Sequence, residues 1–169
     1  MKKIGLLSDT HGHLDISAIK HLSNCDEIWH AGDIGNIETA EALNKLAPLI
    51  AVHGNIDGNE IRSRYSKHQR FYCEGVDVWI THIGGYPKHY DRNVKPEILN
   101  NPPKLFISGH SHILKVIYDK DLNLLHINPG AAGLQGFHKV QTLVTFVINE
   151  NEIKDLQVVE FGTKNKTIY

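Results

Sequence analysis

Aspartate, histidine and asparagine recur along this chain in short groups. Asp9-Thr10-His11 is followed by Gly32-Asp33, Gly54-Asn55, Thr81-His82 and Gly109-His110-Ser111-His112. Carboxylate, imidazole and amide oxygen together form a donor set for divalent cations. Imidazole mixed with carboxylate suits manganese, iron, zinc or nickel better than magnesium or calcium alone. Two such ions about 3.5–4 Å apart can clamp a phosphate and generate a hydroxide near neutral pH. Each group taken singly is weak. A lone His at a strand end is more often a structural hydrogen-bonding residue, and Asp or Asn beside Gly is ordinary turn chemistry. Gly109-His110-Ser111-His112 carries more, because alternate residues of an extended segment point to the same side. The conjunction carries most.

The elements that must position these groups can be read from apolar spacing. Residues 3–8 are a short apolar run closing on a polar turn, which reads as a buried strand. Residues 27–31 and 49–52 are further strands, closing at Gly32-Asp33 and at His53-Gly54-Asn55. Residues 14–22 and 37–46 carry helical spacing, the second stopping before Pro48. Alternation of this kind predicts βαβ units and a parallel sheet, hence an α/β fold. Further on, 71–73 with 76–81, 113–118 with 124–127, and 140–148 with 153–161 read as hairpins. Residues 105–108 read as one more strand, and 87–101 as a polar loop and short helix. The second half is therefore expected to be strand-rich and antiparallel. Every donor group falls at the carboxyl end of a predicted strand, where open α/β sheets bind ligands. The adjoining glycines let the backbone turn sharply there.

Composition bounds the function. A length of 169 residues suits one domain over 1–169. Apolar residues at 41% and charged residues at 22% allow a packed core. A net charge of −1 gives no electrostatic case for a nucleic-acid or membrane-surface binder. Twelve histidines exceed what packing needs, whereas two cysteines, Cys25 and Cys73, lack metal or redox spacing and fit a reducing compartment. The apolar run after Met1-Lys2-Lys3 stops at Ser8-Asp9, too short for a signal peptide, and no run reaches the roughly 20 residues of a membrane span. The cytoplasm is the expected location.

The ordered pattern D-x-H, G-D, G-N, H, G-H-x-H resembles that of the calcineurin-like metallophosphoesterases. The motifs span residues 9–112, and chain length with the Asn128-Pro129-Gly130 turn is similar to the small single-domain phosphodiesterase branch, which also holds the retromer subunit of this fold. The resemblance implies two stacked β-sheets flanked by helices. It implies a first metal held by Asp9, His11, Asp33 and His112. Asp33 would bridge to a second metal, joined by Asn55, His82 and His110. A bridging hydroxide would attack phosphorus in line with the leaving oxygen, with Asn55 and Asp33 as catalytic residues. Manganese is the leading candidate, with nickel, zinc, iron and magnesium as alternatives. One departure stands out. Many larger members carry His after the Asn, whereas this chain carries Ile56 followed by Asp57. General-acid catalysis is thereby in doubt, and activated diesters are the expected substrates.

Softer candidates remain. His30 and His53 could orient a ligand. His13 could face the substrate. Gly84 to Arg92 could form a lid, with Tyr86 stacking and Arg92 contacting phosphate. A packed histidine, a solvated turn and an ordinary loop read equally well for these. Arg62, Arg64 and Lys67 read as a solvated face. The leading expectation is a binuclear phosphodiesterase acting on a small phosphate ester. The alternatives are a phosphomonoesterase or nucleotide pyrophosphohydrolase on the same site, and a protein-interaction scaffold. Exposed sheet edges leave a homo-oligomer open.

Overall fold

In the computed structural model, which describes residues 1–163, a βαβαβ unit opens the chain. It comprises β1 (Lys2–Leu7), α1 (Ile16–Leu22), β2 (Glu27–His30), α2 (Ile37–Leu46) and β3 (Leu49–Ala51). Helix α1 begins two residues after Leu14. Asp15 is extended, with ψ 143°, and its carboxylate accepts the Ser17 N–H at 2.7 Å, an N-cap that fixes the start. Asn36 caps α2 in the same way, accepting from Thr39 N–H at 2.9 Å. That helix ends at extended Ala47, as the following Pro48 requires.

The chain continues through α3 (Asn59–Arg64), β4 (His68–Cys73), β5 (Val76–Thr81), β6 (Gly85–Tyr86), β7 (His89–Tyr90) and α4 (Lys95–Asn100). It closes with β8 (Leu105–Ile107), β9 (Lys115–Asp119), β10 (Leu124–Asn128), β11 (Val140–Asn149) and β12 (Glu152–Thr163). Two five-stranded sheets result, ordered β12-β11-β1-β2-β3 and β4-β5-β8-β10-β9. The expectation of an antiparallel second half needs correction. β8 runs parallel to both β5 and β10, and β11 leaves that sheet to pair antiparallel with β1. The three hairpins form as read, but hairpin signals fix only neighbouring strands. The partners of β8, and β1 as the second partner of β11, are not chain neighbours and have no local signal. Strand β4 also starts three residues before 71. His68 and Arg70 are exposed on this edge strand and show no apolar alternation.

Alternation along the strands fills both faces. Ile4, Leu6 and Trp29 of the first sheet meet Val78, Ile80, Leu105 and Ile107 of the second, with Val144, Phe146 and Ile148 from β11. Leu7, Ile28 and Leu143 point the other way and pack with Ala18, Leu22 and Leu43 of α1 and α2. Trp79 and Phe106 lie on the outer face of the second sheet with Ile98 of α4. Each fully buried Leu or Ile contributes roughly 1.5–3 kcal/mol relative to exposure. The architecture is two stacked sheets flanked by helices. Among the described residues no helix is long and apolar enough to cross a membrane.

Candidate metal centre

The strand ends carrying the donor groups meet at one end of the sandwich. Backbone hydrogen bonds lace their loops together: Asp9 N–H to Gly32 O at 3.0 Å, His11 N–H to Asp33 O at 3.0 Å, and Gly109 N–H to His82 O at 2.9 Å. Gly54 and Gly109 make the close approach feasible, since a Cβ at either would collide with the side chain of Asp33 or of Ser8. Asp9, His11, Asp33, His110 and His112 all adopt left-handed backbone, with φ between 49° and 67°. Such conformations cost about 1–3 kcal/mol each in non-glycine residues and persist where surrounding structure imposes them.

Two donor groups converge, Asp9 with His11 and His112, and Asp33 with His82 and His110. Within each group one ligand atom per residue lies within 4.8 Å of the others. His112 Nε2 is 3.1 Å from Asp9 Oδ1, and His82 Nε2 is 3.2 Å from Asp33 Oδ2. Asp33 also reaches the first group, with His11 Nε2 3.9 Å from its Oδ2. Asn55 Oδ1 lies 3.1 Å from His82 Nε2. The sequence-predicted donors Asp9, His11, Asp33, Asn55, His82, His110 and His112 thus come together.

The donor atoms are aimed. His82 Nδ1–H donates to Ala31 O at 2.8 Å, which turns Nε2 toward the centre. Asp9 Oδ2 accepts from Ser8 Oγ–H at 2.6 Å and from His110 N–H at 3.2 Å. Asp9 Oδ1, fully buried, has no hydrogen-bond partner among the described residues and faces the imidazoles of His11, His82 and His112. An orphaned buried carboxylate oxygen is costly, and a cation is the partner this donor set suits. Burial works against the charged form of His82, but its hydrogen bond to Asp33 and the charges of Asp9 and Asp33 raise its pKa overall. Burial likewise opposes the Asp33 carboxylate, yet His82 and the Ile56 N–H hold its pKa below the usual range.

Some supporting residues had no legible role in the sequence. Buried Asp57 accepts backbone N–H bonds from Ile34 at 3.2 Å, Gly35 at 2.8 Å and Gly54 at 2.7 Å, binding the Asp33 loop to the Asn55 loop. Arg62, expected on a solvated face, donates to the carbonyls of Asp57 at 2.6 Å and of Gly54 and Asn55 at 3.1 Å. Asp57 follows Asn55 by two residues, the one local hint available. His30 orients no donor directly. Its Nδ1 accepts from Gly32 N–H at 3.1 Å, so Nε2 carries the proton and donates to Thr10 Oγ at 2.9 Å. Burial lowers the His30 pKa to about 4. The Asn128 side chain donates to Gly109 O at 2.9 Å and to Ser111 Oγ at 3.1 Å, steadying the His110 loop.

Three clefts flank the centre. One lies beside Asn55 and His82, one beside His110 and Tyr86, and one beside His112 and Phe137. Tyr86 lies under the Lys115 ammonium, 4.3 Å from its ring centroid. The segment read as a lid folds into the β6–β7 hairpin. Tyr90 anchors it through a 2.7 Å hydrogen bond to Asp119, and Ser108 Oγ–H through one to Gly85 O at 3.1 Å. His13 and exposed Arg92 line none of the three clefts.

Comparison with known proteins gives the family. The sequence profile of the calcineurin-like phosphoesterase superfamily domain matches residues 1–151. A probable metallophosphoesterase of Mycoplasma pneumoniae is 30% identical, over 92% of this chain and 96% of its own. An archaeal phosphodiesterase superposes with a TM-score of 0.73 at 21% identity, covering 94% of this chain and 99% of its own. Vps29 of Entamoeba histolytica, in complex with zinc, gives 0.73 at 16% identity, covering 95% and 99%. On the profile and the Mycoplasma relative together, the chain belongs to the calcineurin-like phosphoesterase superfamily.

Proposed function

We propose that this chain, as one domain over 1–169, is a phosphodiesterase that uses two divalent cations, manganese foremost and nickel, zinc, iron or magnesium as alternatives. Asp9, His11, Asp33 and His112 would hold one cation, and Asp33, Asn55, His82 and His110 the other. The observation that carries this reading is buried Asp9 Oδ1, without a hydrogen-bond partner among the described residues, facing the imidazoles of His11, His82 and His112, of which His82 is turned inward by its bond to Ala31 O. When bound, the cations would neutralise charge building on the phosphoryl oxygens and acidify water at the site.

The chain's own residues do the positioning. Asp33 Oδ2 lies 3.2 Å from His82 Nε2 and 3.9 Å from His11 Nε2, and the Ile56 N–H to its Oδ1, at 3.1 Å, leaves Oδ2 facing both imidazole groups. Asn55 turns its Oδ1 to His82, so its amide N–H is the end free to meet a phosphoryl oxygen. Ile56, 48% exposed beside Asn55, has no proton to give. A leaving group beside it therefore gains no proton from that position, which favours activated diesters over monoesters with poor leaving groups.

The test is hydrolysis of bis(p-nitrophenyl) phosphate beside p-nitrophenyl phosphate by metal-stripped protein given manganese, nickel, zinc or magnesium, with Asp33→Asn as control. The expected result is metal-dependent turnover of the diester, strongly reduced in the variant. Turnover indifferent to both metal and Asp33 would overturn the reading.

A further inference from the structure

The cleft beside Asn55 and His82 differs in charge from its neighbours. It measures about 220 Å³ and is lined by His53, Arg62 and Lys67 together with Asn55 and His82, and among the described residues no acidic one contributes. The cleft beside Tyr86, by contrast, sets Asp91 against Lys115. Three carbonyls fix the Arg62 guanidinium, and among the described residues no carboxylate pairs with it. Its charge therefore stays uncompensated, and with Nε and Nη2 bonded to carbonyls the Nη1 N–H groups are the donors left to meet an anion. Among the described residues Lys67 likewise has no ion pair; Arg64, two residues from Arg62, pairs with Glu41 and Glu60 instead.

Backbone bonds hold this wall in place. His53 N–H donates to Ser66 O at 3.0 Å, and Thr81 Oγ–H donates to Lys67 O at 3.4 Å. Thr81 directly precedes His82, and Arg62 holds the carbonyl of Asn55. The cationic wall is thus tied to the same two loops that present Asn55 and His82.

From this placement, and resting on the phosphodiesterase reading, the geometry points to a second anion subsite. Arg62 and Lys67 receive a further phosphate of the substrate, one carried by the group that extends past Asn55 from the scissile diester. The substrate class is then a phosphodiester with a second phosphate close by, rather than a diester of otherwise neutral groups.

The test uses the full chain with manganese and two substrates, thymidine 5′-(p-nitrophenyl phosphate) with and without a 3′-phosphate. The readout is the ratio of their kcat/KM values. We expect the extra phosphate to raise kcat/KM about tenfold, Lys67→Gln to cut that ratio to about threefold or less, Lys67→Glu to abolish it, and Lys67→Arg to retain it. A ratio near one in the native protein, or one indifferent to Lys67→Gln and Lys67→Glu, overturns the subsite.

Failure of the phosphodiesterase reading looks different: neither thymidine ester nor bis(p-nitrophenyl) phosphate is turned over. The subsite is then decided without turnover, from amide chemical shifts as pyrophosphate is added to metal-free protein. Shifts confined to residues 53–67 and weakened about fivefold by Lys67→Gln support it. Shifts only among the clustered histidines, or none, sink it. An added phosphate that acts only when extended into a polynucleotide would point to a backbone-tracking groove and also overturns the proposal.

Discussion

The two ends of the sandwich use the same strained backbone for opposite purposes. At the far end Glu74, Asn123, Glu150 and Asn151 adopt left-handed φ in the turns of three hairpins, where the chain simply reverses. The side chains there are exposed or half-buried, and glycine or asparagine serves such turns as well. At the other end Asp9, His11, Asp33, His110 and His112 share that conformation, but their loops reverse no hairpin. Their side chains point inward at one another, and glycine could supply the φ but not the donor atom. Strain at one end is geometry alone, whereas at the other it is the cost of aiming a side chain.

The largest effect that sharpens this contrast is expected from Asp33→Asn. It keeps shape and removes charge, and should lower diester turnover on the order of 10²–10³-fold. Elemental analysis should also show loss of one bound metal. A rate within tenfold of native would mean that the donor end is no more specialised than the hairpin end.

The second prediction concerns His126, which lies in neither set of loops. It is buried on β10 against Phe106, with ring centroids 5.7 Å apart. Burial, with Lys115 nearby on β9, lowers its pKa to about 4, partly opposed by the Phe106 backbone. In the unfolded chain it titrates near 6.5. Below pH 6.5 the unfolded chain takes up a proton that the folded chain refuses. Stability is therefore lost as pH falls from about 6.5 toward 4, by about 3 kcal/mol from this residue. Urea unfolding at pH 6.5, 5.5 and 4.5 should show that loss in the native protein and a shallower one in His126→Leu, by the same difference with or without manganese. Parallel slopes in the two proteins would refute it.

Asp57→Asn comes next. The carboxylate holds three backbone N–H groups of two loops, and an amide can accept fewer. Metal affinity by competition with a chelating dye should fall about 10–100-fold, as for other groups that orient ligands. The smallest effect is expected at the hairpin end. Glu74→Gly relieves a left-handed residue but loosens the unfolded chain, so unfolding free energy should change by less than about 1 kcal/mol. A larger change in urea midpoint would erase the distinction between the two ends.

The donor end was legible in the sequence because each donor follows an apolar run that ends at a turn. Asp9, Asp33, Asn55, His82 and His110 could be placed from that alone. Helix α2 was legible from its spacing and from Pro48. Asp57 and Arg62 were not, because a side chain that serves backbone groups of its own and of distant loops leaves no periodicity. Nor were β6 and β7, two residues each, or the polar start of β4. The pairing of β11 with β1 was hidden for a different reason. Val140 to Asn149 announces a strand, but nothing in it announces which edge it will find.

That pairing sets an order of events during synthesis. Leu6 lies opposite Val144, and Lys2 opposite Ile148. The strand that delivers Asp9 and His11 thus has a bare edge until residues 140–149 have left the ribosome. A nascent chain emerging amino end first can pair β1 with β2 and bring Asp33 near Asp9 early. It cannot seal the other flank of β1, or complete the donor set with His112, until late. An unpaired central strand invites mispairing, so chains halted before residue 140 should be the species that chaperones meet.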